Sequence, residues 1–310
     1  MATEGVYEMI CDLQVNGFIG VDFSSPQLTA SAFREACHAM LQRGTTVFLP
    51  TVITAPEALY ERNLALMSAV LEQDDELARH IPGFHLEGPF ISSEPGAVGA
   101  HNPAAVCAPD SALFDRLMTY ACGRIKLLTI AADVPGADVL ATHAISKGVA
   151  VSCGHHMALA ADLSRLADAG AVALTHLGNG VPNLLHRHNN PILAGLGETR
   201  MKIMFIPDGH HLPTDFLRML ASLIPVSRLI ATSDASPAAG LPPGRYNVLG
   251  NDVVLEPNGR LHNPEKQCLV GSSATLSECV EVLRGLHCFT EEQLESITWE
   301  NPMNLIGLFS

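Results

Sequence analysis

The sequence predicts a closed (β/α)8 TIM barrel with a small β-hairpin appendage after the eighth strand, and three observations predict it. Eight short apolar runs alternate with stretches of helical period or long connections along the 310 residues. The apolar bulk is aliphatic, with 47% hydrophobic residues but only 5% aromatic, as suits the inner strands of a parallel sheet. Polar and ionisable residues follow directly on the ends of those runs, where a barrel carries its chemistry. A doubly wound open sheet is the competing architecture.

In chain order the strand candidates are residues 10–15, 45–50, 83–86, 125–131, 149–153, 171–175, 202–206 and 228–232. Helix-like stretches at 31–42, 56–72, 110–122, 158–169 and 214–223 lie between them. Gln14 and Asn16 end the first run, and Glu87 follows the third. His155 and His156 follow the fifth, His176 the sixth, Asp208 to His211 the seventh, and Asp234 the eighth. So many such residues at one rim are hard to obtain from core packing. Residues 240–271 break the alternation, being rich in Gly, Pro and Asn with short apolar runs at 251–255 and 268–270. They read as a β excursion before two terminal helices at 274–286 and 291–297. This is too little for an independent domain, so residues 1–310 are expected to form one domain.

Composition narrows the function classes. Eighteen basic against 32 acidic residues leave a net charge of −14, which argues against unaided binding to nucleic acid or to an anionic membrane. No apolar run of ~18 residues is present. The opening segment has neither a basic stretch nor an apolar signal core. Eight scattered Cys without a C-x-x-C pair read as reduced thiols, and a cytoplasmic protein is expected. Fourteen His are many for this length.

Glu87, His155 and His176 form a carboxylate and imidazole set on neighbouring parts of the rim. Two His and one Glu with an open fourth position can hold a catalytic zinc ion, and Asp234 can serve as general base toward a water. The spacings, 68 and 21 positions, form no compact metal motif. The same residues can equally cap strands or bond loops.

Beyond the residue pattern, the chain resembles the N-acetylglucosamine-6-phosphate deacetylases of the amidohydrolase superfamily. The segments that carry the resemblance are DLQVNG (12–17), HLEGPFIS (85–92), GAH (99–101), GHH (154–156) and THLGNG (175–180). DGHHLP (208–213), TSDASPAAG (232–240), GSSATL (271–276) and NPMNLIGL (301–308) complete it. The resemblance implies a barrel in which Glu87, His155 and His176 bind one divalent metal, Zn²⁺ first and Fe²⁺ or Co²⁺ as alternatives. It implies Asp234 as catalytic acid/base and His211 as the group that orients or polarises the amide carbonyl. Gln14, His101, Asn179, Gly180 and Arg187 fall on or near substrate-binding positions, Arg187 as a phosphate ligand donated across a homodimer interface. The implied partner is a small N-acyl amino sugar, phosphorylated in that family's pattern and hydrolysed at its acetyl amide.

The chain also departs from the family pattern. Many amidohydrolases carry His-x-His on the first strand for a second metal, where this chain has Gln14 and Asn16, neither a strong zinc ligand. Gly178 and Gly180 replace a Phe and an Ala, leaving more room and a looser backbone beside the acyl site. His156 replaces a Ser or Thr, as a spare ligand or as a buried His bonded to a backbone carbonyl. Against the family pattern, the chain reads as a short form lacking most of the flanking β-domain. Independently of the family, no acidic residue lies between Asp168 and Glu198, a stretch that holds Arg187 between His186 and His188. An anion site there competes with a chance gap around a surface Arg. The functional alternatives are a deacetylase of an unphosphorylated N-acyl amine, and a catalytically silent barrel that binds a sugar phosphate.

Overall fold

The computed structural model describes residues 9–309. The reading of the opening segment therefore lies outside the described residues, apart from Met9 and Ile10. Eight parallel strands follow one another around the sheet in chain order. They are β1 (Cys11–Val15), β2 (Val47–Ile53), β3 (Phe84–Glu87), β4 (Ile125–Ile130), β5 (Ala150–Cys153), β6 (Ala173–Leu174), β7 (Lys202–Phe205) and β8 (Leu229–Ala231). Each coincides with one of the eight apolar runs, shifted at its ends by a few residues. With helices on the outside, this is the (β/α)8 barrel.

The helices form where the sequence caps them and gives them one apolar face. Thr29 accepts the N–H of Ala32 at the start of Ala30–Gln42, whose Phe33, Ala36, Cys37 and Met40 are buried. That i, i+3, i+4, i+7 spacing is one stripe of a helix. Asp110 caps Ser111–Tyr120, and Thr275 with Glu278 makes a capping box for Leu276–Leu286. Four helices carry too short or too uniformly apolar a pattern to stand out in the sequence: Asp75–His80, Ala137–Ser146, Pro191–Gly197 and Asn301–Leu305.

The barrel closes between β8 and β1 through side chains as much as through backbone. A parallel bridge joins Val15 to Ala235 just beyond the strand ends. Beside it, fully buried Asp12 accepts hydrogen bonds from the hydroxyls of Thr232 and Ser233 and from the Ser233 and Gln14 N–H groups. Burial pushes the Asp12 carboxyl up, and those hydrogen bonds work against it. The end of the barrel opposite the site is apolar: Leu13, Leu49, Leu127 and Ile230 pack with Trp299 and Met303 of the terminal helices. Above this layer the interior turns polar. His85 Nε2 lies 2.8 Å from Thr129 Oγ1, Thr129 Oγ1 lies 2.8 Å from Thr175 Oγ1, and Thr175 donates to Ser152 at 2.7 Å. Burial pushes His85 down to about 4, so this layer holds a neutral imidazole. The next inward-facing residue along β3 is Glu87.

The excursion contains two strands more than its apolar runs suggest. Gly244–Val248, Asn251–Leu255, Leu261–Asn263 and Cys268–Leu269 pair antiparallel into a four-stranded sheet. The first alternates exposed and part-buried residues, and the third has only three, so neither shows as an apolar run. Val248, Val253, Leu255 and Leu261 pack with Ile53 and Ala238 of the barrel rim. Asp22 Oδ2 accepts the N–H of Leu249 at 3.1 Å, and Asn251 donates to the Ala100 carbonyl at 2.9 Å. All eight cysteines are free. Among the described residues no helix is long and apolar enough to cross a membrane.

Candidate active site

The site is built at the C-terminal ends of the strands, and three of its residues stand in backbone conformations that L side chains rarely adopt. His155, His176 and Asp234 have φ values of 52°, 31° and 52°. Each immediately follows or nearly follows a strand (β5, β6 and β8), and the left-handed turn directs its side chain over the barrel mouth. Such conformations persist only where the surroundings enforce them.

Glu87 Oε1 lies 2.8 Å from His176 Nε2 and 3.3 Å from His155 Nε2, and the two imidazole nitrogens are 3.1 Å apart. All three side chains are buried, and they alone among the described residues form a possible three-ligand group. Metal–nitrogen bonds of about 2.0–2.1 Å in tetrahedral geometry space the ligands about 3.3 Å apart, close to these separations. His155 Nδ1 is 2.8 Å from the Ala97 carbonyl, so that nitrogen carries the proton and Nε2 presents its lone pair to the centre. Among the described residues, three of the ten buried side-chain atoms without a hydrogen-bond partner belong here: Gln14 Oε1, Asn16 Oδ1 and His176 Nδ1. The donor set fits one divalent ion. Burial pushes the Glu87 carboxyl up, but hydrogen bonds from His101, His155 and His176 outweigh it and hold the group well below the ordinary range.

A cavity of about 300 Å³ opens over this centre. His101, Asn179, Gly180, His211 and Asp234 line it. Asp234 Oδ1 accepts from Asn16 Nδ2 at 2.7 Å. Burial, then the charge of Glu87, pushes its carboxyl up to about 6. His211 Nδ1 lies 2.7 Å from Asp208 Oδ2, which also accepts from Ser272 Oγ at 2.8 Å. Asp208 Oδ1 accepts the N–H groups of His210 and His211, both at 2.9 Å. Burial pushes the Asp208 carboxyl up, and the His211 charge and these bonds bring it well below the usual range.

The remaining expected residues divide. His101 lines the cavity, but its Nδ1 accepts the Thr54 N–H at 3.2 Å and its Nε2 faces Glu87 Oε2 at 3.5 Å. It therefore supports the carboxylate as well as the wall. Gln14 is fully buried and absent from the cavity lining, donating to Glu87 Oε1 at 2.8 Å. Arg187 is exposed and does not line its own chain's cavity. His156 is turned away from the centre: its Nδ1 accepts the Ala158 N–H at 3.1 Å, and burial holds it down to about 4. Asn16 and Asp208, each one hydrogen bond from a candidate catalytic residue, carried no assigned role in the sequence reading. Their signal was present, since they lie within the segments DLQVNG and DGHHLP just after strands. Arg260 and Gln267 also line the cavity, and nothing local in the sequence links the excursion to the rim.

A (β/α)8 barrel with a buried Glu and two His converging at the C-terminal rim, and a carboxylate on the cavity wall, defines a metal-dependent hydrolase of the amidohydrolase type. The chain is 31% identical over 312 residues to the N-acetylglucosamine-6-phosphate deacetylase of Danio rerio, covering 96% of this chain and 74% of that one. It is 31% identical over 311 residues to the human protein of the same name, with 96% and 73% covered. To an N-acetylgalactosamine-6-phosphate deacetylase of Escherichia coli O157:H7 it is 28% identical over 313 residues, with 99% and 80% covered. The chain belongs to the N-acetylglucosamine-6-phosphate deacetylase family. Among solved structures, the Mycobacterium smegmatis enzyme of that name, in complex with N-acetyl-D-glucosamine-6-phosphate, superposes with a TM-score of 0.87 at 25% identity over 97% of this chain and 77% of that chain. No protein-family model matches the sequence.

Proposed function

We propose that the protein hydrolyses the N-acetyl amide of a phosphorylated amino sugar, N-acetylglucosamine 6-phosphate or its galactosamine counterpart, with one divalent ion and Asp234 as general base and acid. The observation that carries this reading is the convergence of Glu87, His155 and His176 beneath a cavity whose wall holds Asp234. Zn²⁺ is the ion that this donor set suits best, and Fe²⁺ and Co²⁺ share its ligand preferences. The bound ion would supply Lewis acidity, acidifying a water and polarising the amide carbonyl.

The protein's own groups account for the proton. Asp234 takes it from the attacking water as the C–O bond forms, and returns it to the amine nitrogen as the C–N bond breaks. Acetate and the free amine are the products. Asn16 holds one oxygen of Asp234, which leaves the other for that exchange. Asp208 holds Nδ1 of His211, so Nε2 is the ring atom available to the substrate. Asp208 fixes the plane of that ring and so directs Nε2 toward the substrate amide. Asn179 and Gly180 form the wall against which the acyl sugar is positioned.

We further propose a homodimer in which the exposed loop around Leu184 and Arg187 lies against a second copy, since Leu184 is 92% exposed. If Arg187 is donated across that interface, a mixture of Arg187→Met and Asp234→Asn chains would then regain some of the activity lost in each. One observation favours a second reading, an unphosphorylated N-acyl amine as substrate: Arg187 stands outside its own chain's cavity. The test of the main reading is acetate release from paired phosphorylated and free N-acetyl amino sugars by metal-loaded protein. No acetate from either would overturn it.

A further inference from the structure

We infer that Asp12, fully buried on β1 and absent from the cavity lining, is a positioning residue for Asp234: through the Ser233 hydroxyl it holds the turn that aims the Asp234 carboxylate into the site. The inference rests on the reading of Asp234 as general base and acid proposed above, and goes beyond it to the group that fixes that carboxylate. The seam between β8 and β1 is where such a group is needed. Around the rest of the barrel, neighbouring strands pair through two or more residues each. Among the described residues, β8 and β1 meet in the single Val15–Ala235 bridge. Asp234 stands directly before that bridge, with little ladder to hold it.

Asp12 supplies what the ladder does not. Its Oδ1 accepts the Thr232 hydroxyl at 2.7 Å, the Ser233 N–H at 3.1 Å and the Gln14 N–H at 3.3 Å. Its Oδ2 accepts the Ser233 hydroxyl. The Ser233 oxygen in turn accepts the N–H of Ala235 at 3.0 Å. That bond spans Asp234 and closes the turn in which residue 234 has a φ of 52°, a conformation kept only where the surroundings enforce it. On the other flank, the Asp234 carbonyl accepts the Ser272 N–H at 2.8 Å, and the Ala235 carbonyl accepts the Asn16 N–H at 2.7 Å. Asn16 Nδ2 bonds the carboxylate itself. Asp234 is thus held on both flanks and at one oxygen, and the flank toward β8 depends on Asp12.

The chemistry of the anchor fits this task better than it fits packing. All four donors to Asp12 are neutral, and burying a carboxylate among neutral donors is unfavourable. A neutral residue would close the seam at less cost. What the carboxylate adds is strength and direction. Hydrogen bonds to an ionised group are shorter and stronger than those between neutral groups. A carboxylate only accepts, so Ser233 must donate to it, which leaves the lone pairs of the Ser233 oxygen for Ala235 N–H. With Asp12→Asn, an NH₂ can take the place of Oδ2 and donate to the Ser233 oxygen, in competition with Ala235 N–H. The turn at residue 234 then loses its anchor, while the shape of the buried side chain is kept.

The test is a double-variant cycle on metal-loaded protein, read as acetate release from N-acetylglucosamine 6-phosphate. Asp12→Asn and Ser233→Ala are each expected to lower kcat ~10- to 100-fold, the usual effect of misplacing a reacting group by about an ångström. KM should stay within about threefold and the metal content should not change. In the Asp234→Asn background the same substitutions should lower kcat by less than about twofold further, because the group they position is already gone. Losses that multiply in the double variants would make Asp12 part of the general scaffold and overturn the inference. Single variants with wild-type kcat would overturn it as well, and so would failure of both to fold and take up metal. If only one of them folds, that one carries the cycle. A crystal structure of Ser233→Ala gives a reading independent of turnover: the Asp234 carboxylate is expected to leave Asn16, and an unmoved carboxylate overturns the inference. If wild-type protein releases no acetate from phosphorylated or free sugar, the functional reading fails, and that crystal structure alone decides the placement by Asp12.

Discussion

A Cβ on residue 180 would lie 3.0 Å from Nδ1 of His155 and 3.2 Å from its Cγ and Cε1, so Gly180 packs against the imidazole with room for hydrogen only. Gly99 touches the same ring, its Cβ position 3.1 Å from Cε1. Both glycines have positive φ, 62° and 57°, where a side chain costs ~1–2 kcal/mol. Gly180→Ala is therefore expected to displace His155 from Glu87 and His176. Shifts in the groups that orient a ligand commonly cost ~10–100-fold in metal affinity, and a chelator competition would measure the loss. Unchanged affinity would mean that the loop yields and His155 is held by its Ala97 bond alone.

This contact illustrates what the sequence carried and what it did not. The strands were legible because each is a buried aliphatic run ending in a polar residue, as in Cys11–Val15 followed by Asn16. The candidate metal-ligand set was legible for a similar reason, because Glu87 ends β3 and His155 and His176 stand two residues beyond the ends of β5 and β6. The glycines at 178 and 180 read as added space beside the acyl site. In the fold, the Cβ position of Gly178 is 2.7 Å from Leu212 and that of Gly180 is against His155, so both places are filled. Gln14 and Arg260 show the part that only packing supplies. Sequence position puts Gln14 at the strand end, but only the packing shows that it donates to Glu87, which lines the cavity. Arg260 is 173 residues from Glu87 in the chain, and only the bonds of its turn to His210 and Ser273 bring it to the cavity.

One tight equivalent of divalent metal per chain is the second expectation. At the end of β1, Gln14 and Asn16 offer only amide oxygens, weak ligands for such an ion, and their amide nitrogens are held by Glu87 and Asp234. Elemental analysis after gel filtration would show one equivalent, and two tight equivalents would contradict it. Stripping the ion with a chelator should lower Tm by roughly 5–10 °C, because a ligand at about a thousand times its Kd stabilises by ~4 kcal/mol.

Asp234→Asn should keep the metal and the fold and lose ~10²–10⁴ in kcat, the usual worth of a positioned acid/base. Asn accepts the Asn16 hydrogen bond but cannot take a proton from water. The base form is the active one, so activity is lost as pH falls through the carboxyl's pKa. Burial and Glu87 push that value up to about 6, and a cation bound beside Glu87 pulls it back down. The acid limb of kcat/KM should therefore lie at or below about pH 6 in metal-loaded protein. A limb well above pH 7 would assign the titration to another group.

The pairing of His211 with Asp208 yields the last expectation. Asp208 uses Oδ2 for His211 Nδ1 and Ser272 Oγ, and Oδ1 for two backbone N–H groups. All of its bonds are accepted, so Asp208→Asn forces an NH₂ toward at least one donor and removes the counter-charge of the imidazole. The ring then loses the partner that fixes its orientation. If His211 acts on the amide oxygen only as charge develops there, kcat should fall ~10²-fold or more while KM changes little. Ser272→Ala, which removes one bond to the same oxygen and leaves the charge, should cost less than tenfold. If Asp208→Asn raises KM and leaves kcat near wild type, His211 holds the substrate equally in both states and takes no part in stabilising the transition state.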